Sequence, residues 1–139
     1  MTPKQIALVQ ESFARLLPIA DEAGVMFYKR LFEIDPELET LFDIDIEEQG
    51  EKLMGALHVI IDGLSDLDFV VTQMKDLGRR HAGYGVKDKD YDTVGQALLW
   101  TLAQGLGESF TEETKTAWAA AYDFVATTMK RAASEATAD

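Results

Sequence analysis

The stretch LGRRHAGYGV, from Leu77 to Val86, carries the residue pattern on which both the fold and the function depend. His81 lies four residues after Leu77 and seven after Met74, so a helix here places all three on its apolar side. The cluster Gly83-Tyr84-Gly85 predicts that this helix ends at Gly83. A histidine on an apolar helix face is most often a core residue that bonds a backbone carbonyl, and spacing alone favours that interpretation.

The bases around this histidine favour a second interpretation. Arg79 and Arg80 precede His81 and Lys87 follows it, and the chain has only 13 bases against 25 acidic residues. One histidine cannot hold zinc, which takes about three or four protein ligands. A haem iron needs only one imidazole because the porphyrin supplies its other nitrogens, and nearby bases can pair with the haem propionates. The other histidine, His58, faces away from the inward side of its helix, which argues against a second iron ligand.

Composition and charge indicate one acidic domain over residues 1–139. Of its 139 residues 47% are hydrophobic, an ordinary fraction for a globular protein. The formal net charge of −12 repels phosphate backbones and anionic membranes, which argues against binding to nucleic acid or membranes. Without cysteine the chain can form no disulfide, thiolate metal site, thiol nucleophile or sulfur-linked cofactor. With no signal sequence and no apolar run of about 18 residues, the protein is predicted to be cytoplasmic.

Helical periodicity covers nearly the whole chain, and no pair of strands with a tight turn is found. Thr2-Pro3, Asp35-Pro36 and Thr111 are typical helix beginnings, in which a side-chain oxygen caps the first backbone N–H groups. We predict six to eight helices, two of them short, that pack at mixed angles in an all-α fold. The small, polar residues 134–139 are predicted to form a disordered tail. The oligomeric state, monomer or homodimer, stays open.

Four strings in the expected order make this sequence similar to the globin family, over roughly residues 4 to 131. More narrowly, it resembles bacterial single-domain haemoglobins, which are related to the globin domain of flavohaemoglobins. The strings are Phe27-Tyr28-Lys29-Arg30-Leu31-Phe32 with Pro36 and Leu41-Phe42, Leu77 to Val86, Tyr91 to Leu99, and Ala117 to Tyr122. The resemblance implies a globin fold around a haem b pocket.

The resemblance also assigns roles to individual positions. It implies that His81 binds the haem iron and that Tyr28 and Gln49 are the polar residues on the gas-binding side. It implies further haem contacts at Phe42, Lys52, Leu53, Leu77, Arg80, Val86, Tyr91, Val94 and Met129. A tyrosine hydroxyl and a glutamine amide can each donate to bound oxygen, at about 1–3 kcal/mol each, which predicts slow oxygen release.

One position departs from the resemblance. In related proteins a glutamate near the end of the last helix bonds the proximal tyrosine and makes the iron-bound imidazole more basic. Counting from Trp118 without gaps, Ala133 holds that position here. Chemistry of the peroxidase type, which needs the more basic imidazole, is therefore not expected.

The resemblance implies a protein that binds O2, NO and CO. We expect oxygen binding or delivery and the conversion of nitric oxide to nitrate, with electrons from a separate reductase, since the chain has no Gly-x-Gly-x-x-Gly motif. Two alternatives stay open at this point. One is a gas or redox sensor module, and the other is an interaction protein with the globin fold that binds no haem.

Overall fold

The computed structural model describes residues 1–41 and 45–137, and in these ranges the chain is helical nearly throughout. Six α-helices are present: α1 (Pro3–Leu16), α2 (Ala20–Ile34), α3 (Ile46–Gly63), α4 (Leu67–Gly83), α5 (Asp88–Leu106) and α6 (Glu112–Thr137). Three short 3-10 helices, Leu17–Ile19, Pro36–Leu41 and Gly107–Ser109, lie between them. No strand occurs within the described ranges, so the predicted all-α fold is confirmed.

The beginnings of three helices follow the caps that the sequence predicts. Thr2 and Gln5 form a reciprocal capping box in which each side chain accepts the backbone N–H of the other residue. Asp35 Oδ1 accepts the N–H of Glu37 at 3.1 Å at the start of the second 3-10 helix. Thr111 Oγ1 accepts the N–H of Thr114 at 3.2 Å at the start of α6. These contacts are local, which is why the sequence predicts them well.

Helix α6 is longer than the sequence predicts. The helix continues to Thr137, so the tail expected from residue 134 onward is helical over its first four residues. Ala132 and Ala133 have high helix propensity and carry the helix past the point where its apolar stripe ends. Residues 138 and 139 lie outside the described ranges.

At two places the backbones of neighbouring helices touch directly, with no side chain between them. A Cβ atom on Gly24 of α2 would lie 2.8 Å from the Cα of Gly50 of α3, so these helices cross backbone to backbone. A Cβ atom on Gly78 of α4 would lie 2.8 Å from the Cα of Met129 of α6. The second contact fixes the end of α4 that carries His81 one turn further along.

The core has two parts that meet around the same interior space. The larger part includes the buried residues Val9, Phe13, Leu31, Leu102 and Trp118. The smaller part lies between α3, α4, α5 and α6 and contains Ile60, Val70, Met74, Tyr91, Ala126 and Met129. No helix in the described ranges is both long enough and apolar enough to cross a membrane.

Candidate functional site

A large apolar cavity lies among helices α3, α4, α5 and α6, and α1 and α2 each contribute one residue to its wall, Val9 and Phe27. It holds about 990 Å³ of empty space, part of which opens to solvent. Seven residues singled out from the sequence line it, namely Leu53, Leu77, His81, Val86, Tyr91, Val94 and Met129. The structure therefore brings these seven side chains together, while their contacts with a cofactor stay predictions.

His81 is the imidazole on the cavity wall, and its two ring nitrogens have different surroundings. Nδ1 lies 2.7 Å from the carbonyl oxygen of Leu77, one turn earlier in α4. Because a carbonyl can only accept, Nδ1 carries the proton and donates, and the neutral ring then has its free lone pair on Nε2. Burial lowers the pKa of His81, and the nearby Arg80 charge lowers it further, although the bond to Leu77 opposes them. The ring is thus held neutral, in the tautomer that can bind a metal through Nε2.

Tyr28 and Gln49 lie side by side, but neither is on the cavity wall. The Gln49 side chain hydrogen-bonds the Tyr28 hydroxyl, and this bond lowers a pKa of Tyr28 that burial raises more strongly. Tyr28 is buried against the ring of Phe27, with ring centroids 4.9 Å apart. Phe27 and Leu53 are on the cavity wall. The two polar residues therefore form a pair next to the wall residue Phe27.

The bases expected near a cofactor point to solvent. Arg80 Nη2 forms an ion pair with Asp76 Oδ2 at 2.8 Å, one turn back along α4, and both side chains are more than half exposed. Lys52 is exposed on α3 and also lies off the cavity wall. Phe42 falls outside the described ranges. The structure therefore does not gather Lys52 and Arg80 at the cavity.

His58, the other histidine, lies on the solvent side of α3. Its Nε2 is 3.0 Å from Asp62 Oδ2, and about half of its side chain is exposed. The expectation that His58 faces away from the interior agrees with this position. Among the described residues that line the cavity, His81 is the only imidazole.

Sequence reasoning missed several wall residues contributed by α2 and α6. Phe27, Trp118, Tyr122 and Val125 line the cavity together with Met129. The signal was present in α6, where residues 118, 122, 125 and 129 follow one helical stripe. For Phe27 no signal was present, because a core phenylalanine beside a tyrosine does not reveal which of the two faces a cavity.

The Tyr91 hydroxyl is buried and has no hydrogen-bond partner among the described residues. The ring is fixed by other contacts, because the Tyr122 hydroxyl donates to the Tyr91 carbonyl and Lys130 Nζ lies 5.5 Å from the ring centroid. Ala133, at which the resemblance implies a glutamate, has no side-chain hydrogen-bond acceptor.

A cavity with these properties suits one kind of group. Its walls are almost entirely apolar, one neutral imidazole faces it, and no cluster of three or more metal-binding side chains occurs in the described ranges. A flat, largely apolar macrocycle that already supplies four ligands to its metal needs one imidazole from the protein and apolar walls around its ring. The residues present therefore fit a haem group.

The sequence profile of the Globin family matches residues 25–129, which is most of the chain. The chain belongs to the globin family. This globin is 34% identical over 99 residues to a flavohemoprotein of Rhizobium meliloti, a match that covers 69% of this chain and 25% of that protein. It is 28% identical to a neuroglobin of Danio rerio, with 94% of this chain and 91% of that protein covered. The family resemblance expected from the four strings is confirmed.

Solved structures show the same fold for this globin. The crystal structure of a hexacoordinated heme protein from an anhydrobiotic tardigrade, solved at pH 4, superimposes with a TM-score of 0.88. The comparison covers 96% of each chain at 16% sequence identity, so it supports the fold alone. Globin family membership implies haem binding, in agreement with the fit of the cavity.

Proposed function

We propose that this globin binds haem b through His81 Nε2, binds oxygen on the other face of the haem, and serves oxygen delivery and nitric oxide removal. The observation that carries the proposal is the His81 ring, which is held neutral by burial and oriented by the Leu77 carbonyl toward an apolar cavity. When bound, haem supplies a ferrous iron with an open position for a diatomic gas.

The residues of this chain contribute orientation, exclusion of water and hydrogen-bond donors. The Leu77 carbonyl fixes the plane of the His81 ring, and a metal-bound imidazole depends on such a partner. The apolar side chains of Leu53 and Phe27 keep water away from the gas-binding side. Tyr28 and Gln49 pair next to the wall residue Phe27, and we infer that the hydroxyl and the amide turn toward a polar bound gas.

Conversion of nitric oxide to nitrate needs a supply of electrons for repeated turnover. We assign that supply to a separate reductase. The name of the flavohemoprotein relative indicates a flavin, which is compatible with a reductase as the partner. The proposed small ligands are O2, NO and CO, and the proposed location is the cytoplasm.

A gas or redox sensor is the second candidate function. The observation that favours it is the hydrogen bond between Tyr28 and Gln49, which would have to break if either group turned toward a bound gas. Such an exchange of partners at the α2–α3 contact couples gas binding to the position of two helices. The likeness to neuroglobins is compatible with this candidate.

An absorption spectrum of the haem-loaded chain tests the main proposal. The protein is measured in the ferric state, and then reduced under argon, carbon monoxide and air. We expect an intense Soret band and a five-coordinate, high-spin ferrous spectrum under argon that shifts with each gas. No other imidazole among the described residues reaches the cavity to occupy the sixth position.

Two results would count against this proposal. A low-spin ferrous spectrum without added gas would show an internal sixth ligand and would favour the sensor function. If no Soret band forms after haem is added, haem binding fails and only an interaction role for the fold is left.

A further inference from the structure

His81 has a second neighbour, which is not among the residues that line the cavity. The ring of Tyr84 lies next to the His81 ring, with centroids 6.1 Å apart and planes tilted by 55°. Tyr84 caps α4, and its backbone N–H bonds the carbonyls of Arg80 and His81, so the ring is attached to the end of the same helix. With 62% of its surface exposed, Tyr84 is the most exposed large apolar or aromatic side chain in the described ranges.

The segment that carries Tyr84 has a charge opposite to that of the chain as a whole. Residues 75–87 contain four bases, Lys75, Arg79, Arg80 and Lys87, against one acid, Asp76, whereas the whole chain has a net charge of −12. All four bases are exposed. Asp76 pairs with Arg80, which leaves the other three bases without an acidic partner in this segment.

The backbone holds this basic segment together. The N–H of Val86 bonds the carbonyl of His81 at 3.2 Å, so the chain turns back over the end of α4 and keeps Lys87 near Tyr84. Asp90, an acid just beyond the segment, is buried, and its side chain accepts the N–H of Lys87. Asp88 and Lys89, both exposed, balance each other in charge.

We propose that Tyr84, together with Arg80 and Lys87, forms the docking face for an acidic, one-electron carrier protein, with Tyr84 as the contact closest to the iron ligand His81. This inference rests on the proposed function, because the docked carrier supplies the electrons that nitric oxide removal needs. One electron leaves the reduced carrier and arrives at the ferric iron held by His81, and no atom or proton is transferred. Tyrosine is common at the centre of protein interfaces, and surrounding opposite charges speed the encounter of the partners.

The acidic class of partner follows from electrostatics. An acidic carrier is repelled by most of this surface and attracted by residues 75–87, so the charges orient it toward Tyr84. A basic carrier would be attracted to many other places on a chain of net charge −12, and no single face would be selected.

The test uses a reduced, acidic plant-type ferredoxin as the probe and the ferric, haem-loaded globin as the acceptor. Stopped-flow absorbance under carbon monoxide follows the reduction of the iron, at low and at high ionic strength. We compare the wild type with Tyr84→Ala, Tyr84→Phe, Lys87→Glu and the matched control Lys115→Glu. Lys115 is also exposed, and it lies in the first turn of α6, about 20 Å along the helix from Met129.

We expect Tyr84→Ala and Lys87→Glu each to slow the reduction at low salt by about tenfold, while Tyr84→Phe and Lys115→Glu stay near the wild-type rate. The effect of Lys87→Glu is expected to shrink at high salt, because screening removes the steering. Equal rates in all five proteins would overturn the inference. Equal losses for Lys87→Glu and Lys115→Glu would also overturn it, since net charge alone would then explain the result.

A binding measurement separates this inference from the haem proposal. Titration calorimetry of oxidised ferredoxin into each variant measures docking without any turnover. Weaker binding by Lys87→Glu and by Tyr84→Ala, with Lys115→Glu unchanged, supports the docking face. A chain that shows no Soret band defeats the proposed function, whereas a normal Soret band with unchanged binding in all variants defeats only the docking face.

Discussion

At the scale of single residues, the two histidines of this chain form a natural pair for an experiment. His81 faces the cavity with its Nδ1 bonded to Leu77, and His58 is exposed and bonded to Asp62. The same substitution at the two positions therefore separates loss of an iron ligand from loss of any imidazole.

We expect His81→Gly to lose at least about 90% of its stable haem binding, because no other imidazole among the described residues can replace the ligand. Added free imidazole should restore the Soret band, since the cavity then has room for the ring. His58→Gly should bind haem like the wild type. Haem retention on a desalting column, with the absorption spectrum, measures all three proteins. Normal haem retention by His81→Gly would refute the assignment of the iron ligand.

Tyr91 and Tyr122 form a second pair for an experiment, because only one of their hydroxyl groups is hydrogen-bonded to a described residue. The Tyr91 hydroxyl has no partner among the described residues, and the Tyr122 hydroxyl donates to the Tyr91 carbonyl. Tyr91→Phe should leave the stability of the ligand-free protein unchanged or raise it, because the variant no longer buries an unsatisfied hydroxyl. Tyr122→Phe should lower the stability by about 1 kcal/mol, the usual contribution of one such bond. Urea unfolding of both variants checks this order, and a larger loss for Tyr91→Phe would contradict it.

At the scale of elements, the contact between α4 and α6 positions the iron ligand. Gly78 lies one turn before His81 and touches the backbone of α6 at Met129, so the helix carrying the ligand is held against the cavity. A helix contact made backbone to backbone cannot adjust by rotating a side chain. Changes at Gly78 should therefore affect both stability and haem binding.

We expect Gly78→Ala to lower stability by about 1–3 kcal/mol and to weaken haem binding, because the new methyl group forces α4 away from α6. Gly55→Ala is the control, since nothing lies within 4 Å of the added Cβ there and the residue is inside α3. That change should instead raise stability by about 0.5–1 kcal/mol, as alanine favours a helix. Thermal unfolding and haem titration measure both effects. Stabilisation by Gly78→Ala would show that the helices are not in tight contact.

At the scale of the whole molecule, the negative charge opposes folding. With 25 acids against 13 bases, the folded chain concentrates repulsion that the unfolded chain spreads out. The described ion pairs are all exposed at least in part and therefore offset little of it.

We expect the melting temperature of the ligand-free globin to rise by several degrees when ionic strength increases from about 0.01 M to about 0.2 M, because the Debye length falls to less than about 10 Å. Sodium chloride and choline chloride should act alike, since screening depends on charge and not on the cation. A melting temperature that falls, or that responds to only one salt, would contradict this explanation. Differential scanning calorimetry provides the measurement.

The sequence predicted the features that depend on neighbours along the chain. The caps at Thr2, Asp35 and Thr111 and the inward stripe that contains His81 are local patterns, and the structure has them where they were expected. The four strings were enough to indicate the family, which the comparison with known globins confirms.

Only the tertiary structure decided which side chains meet. It pairs Tyr28 with Gln49 next to Phe27, directs Arg80 to Asp76, and leaves the Tyr91 hydroxyl without a partner in the described ranges. The physical reason is that helix caps and stripes involve residues within about one turn. By contrast, the lining of a cavity depends on how closely separate helices approach, and contacts such as that of Gly78 with Met129 set that distance.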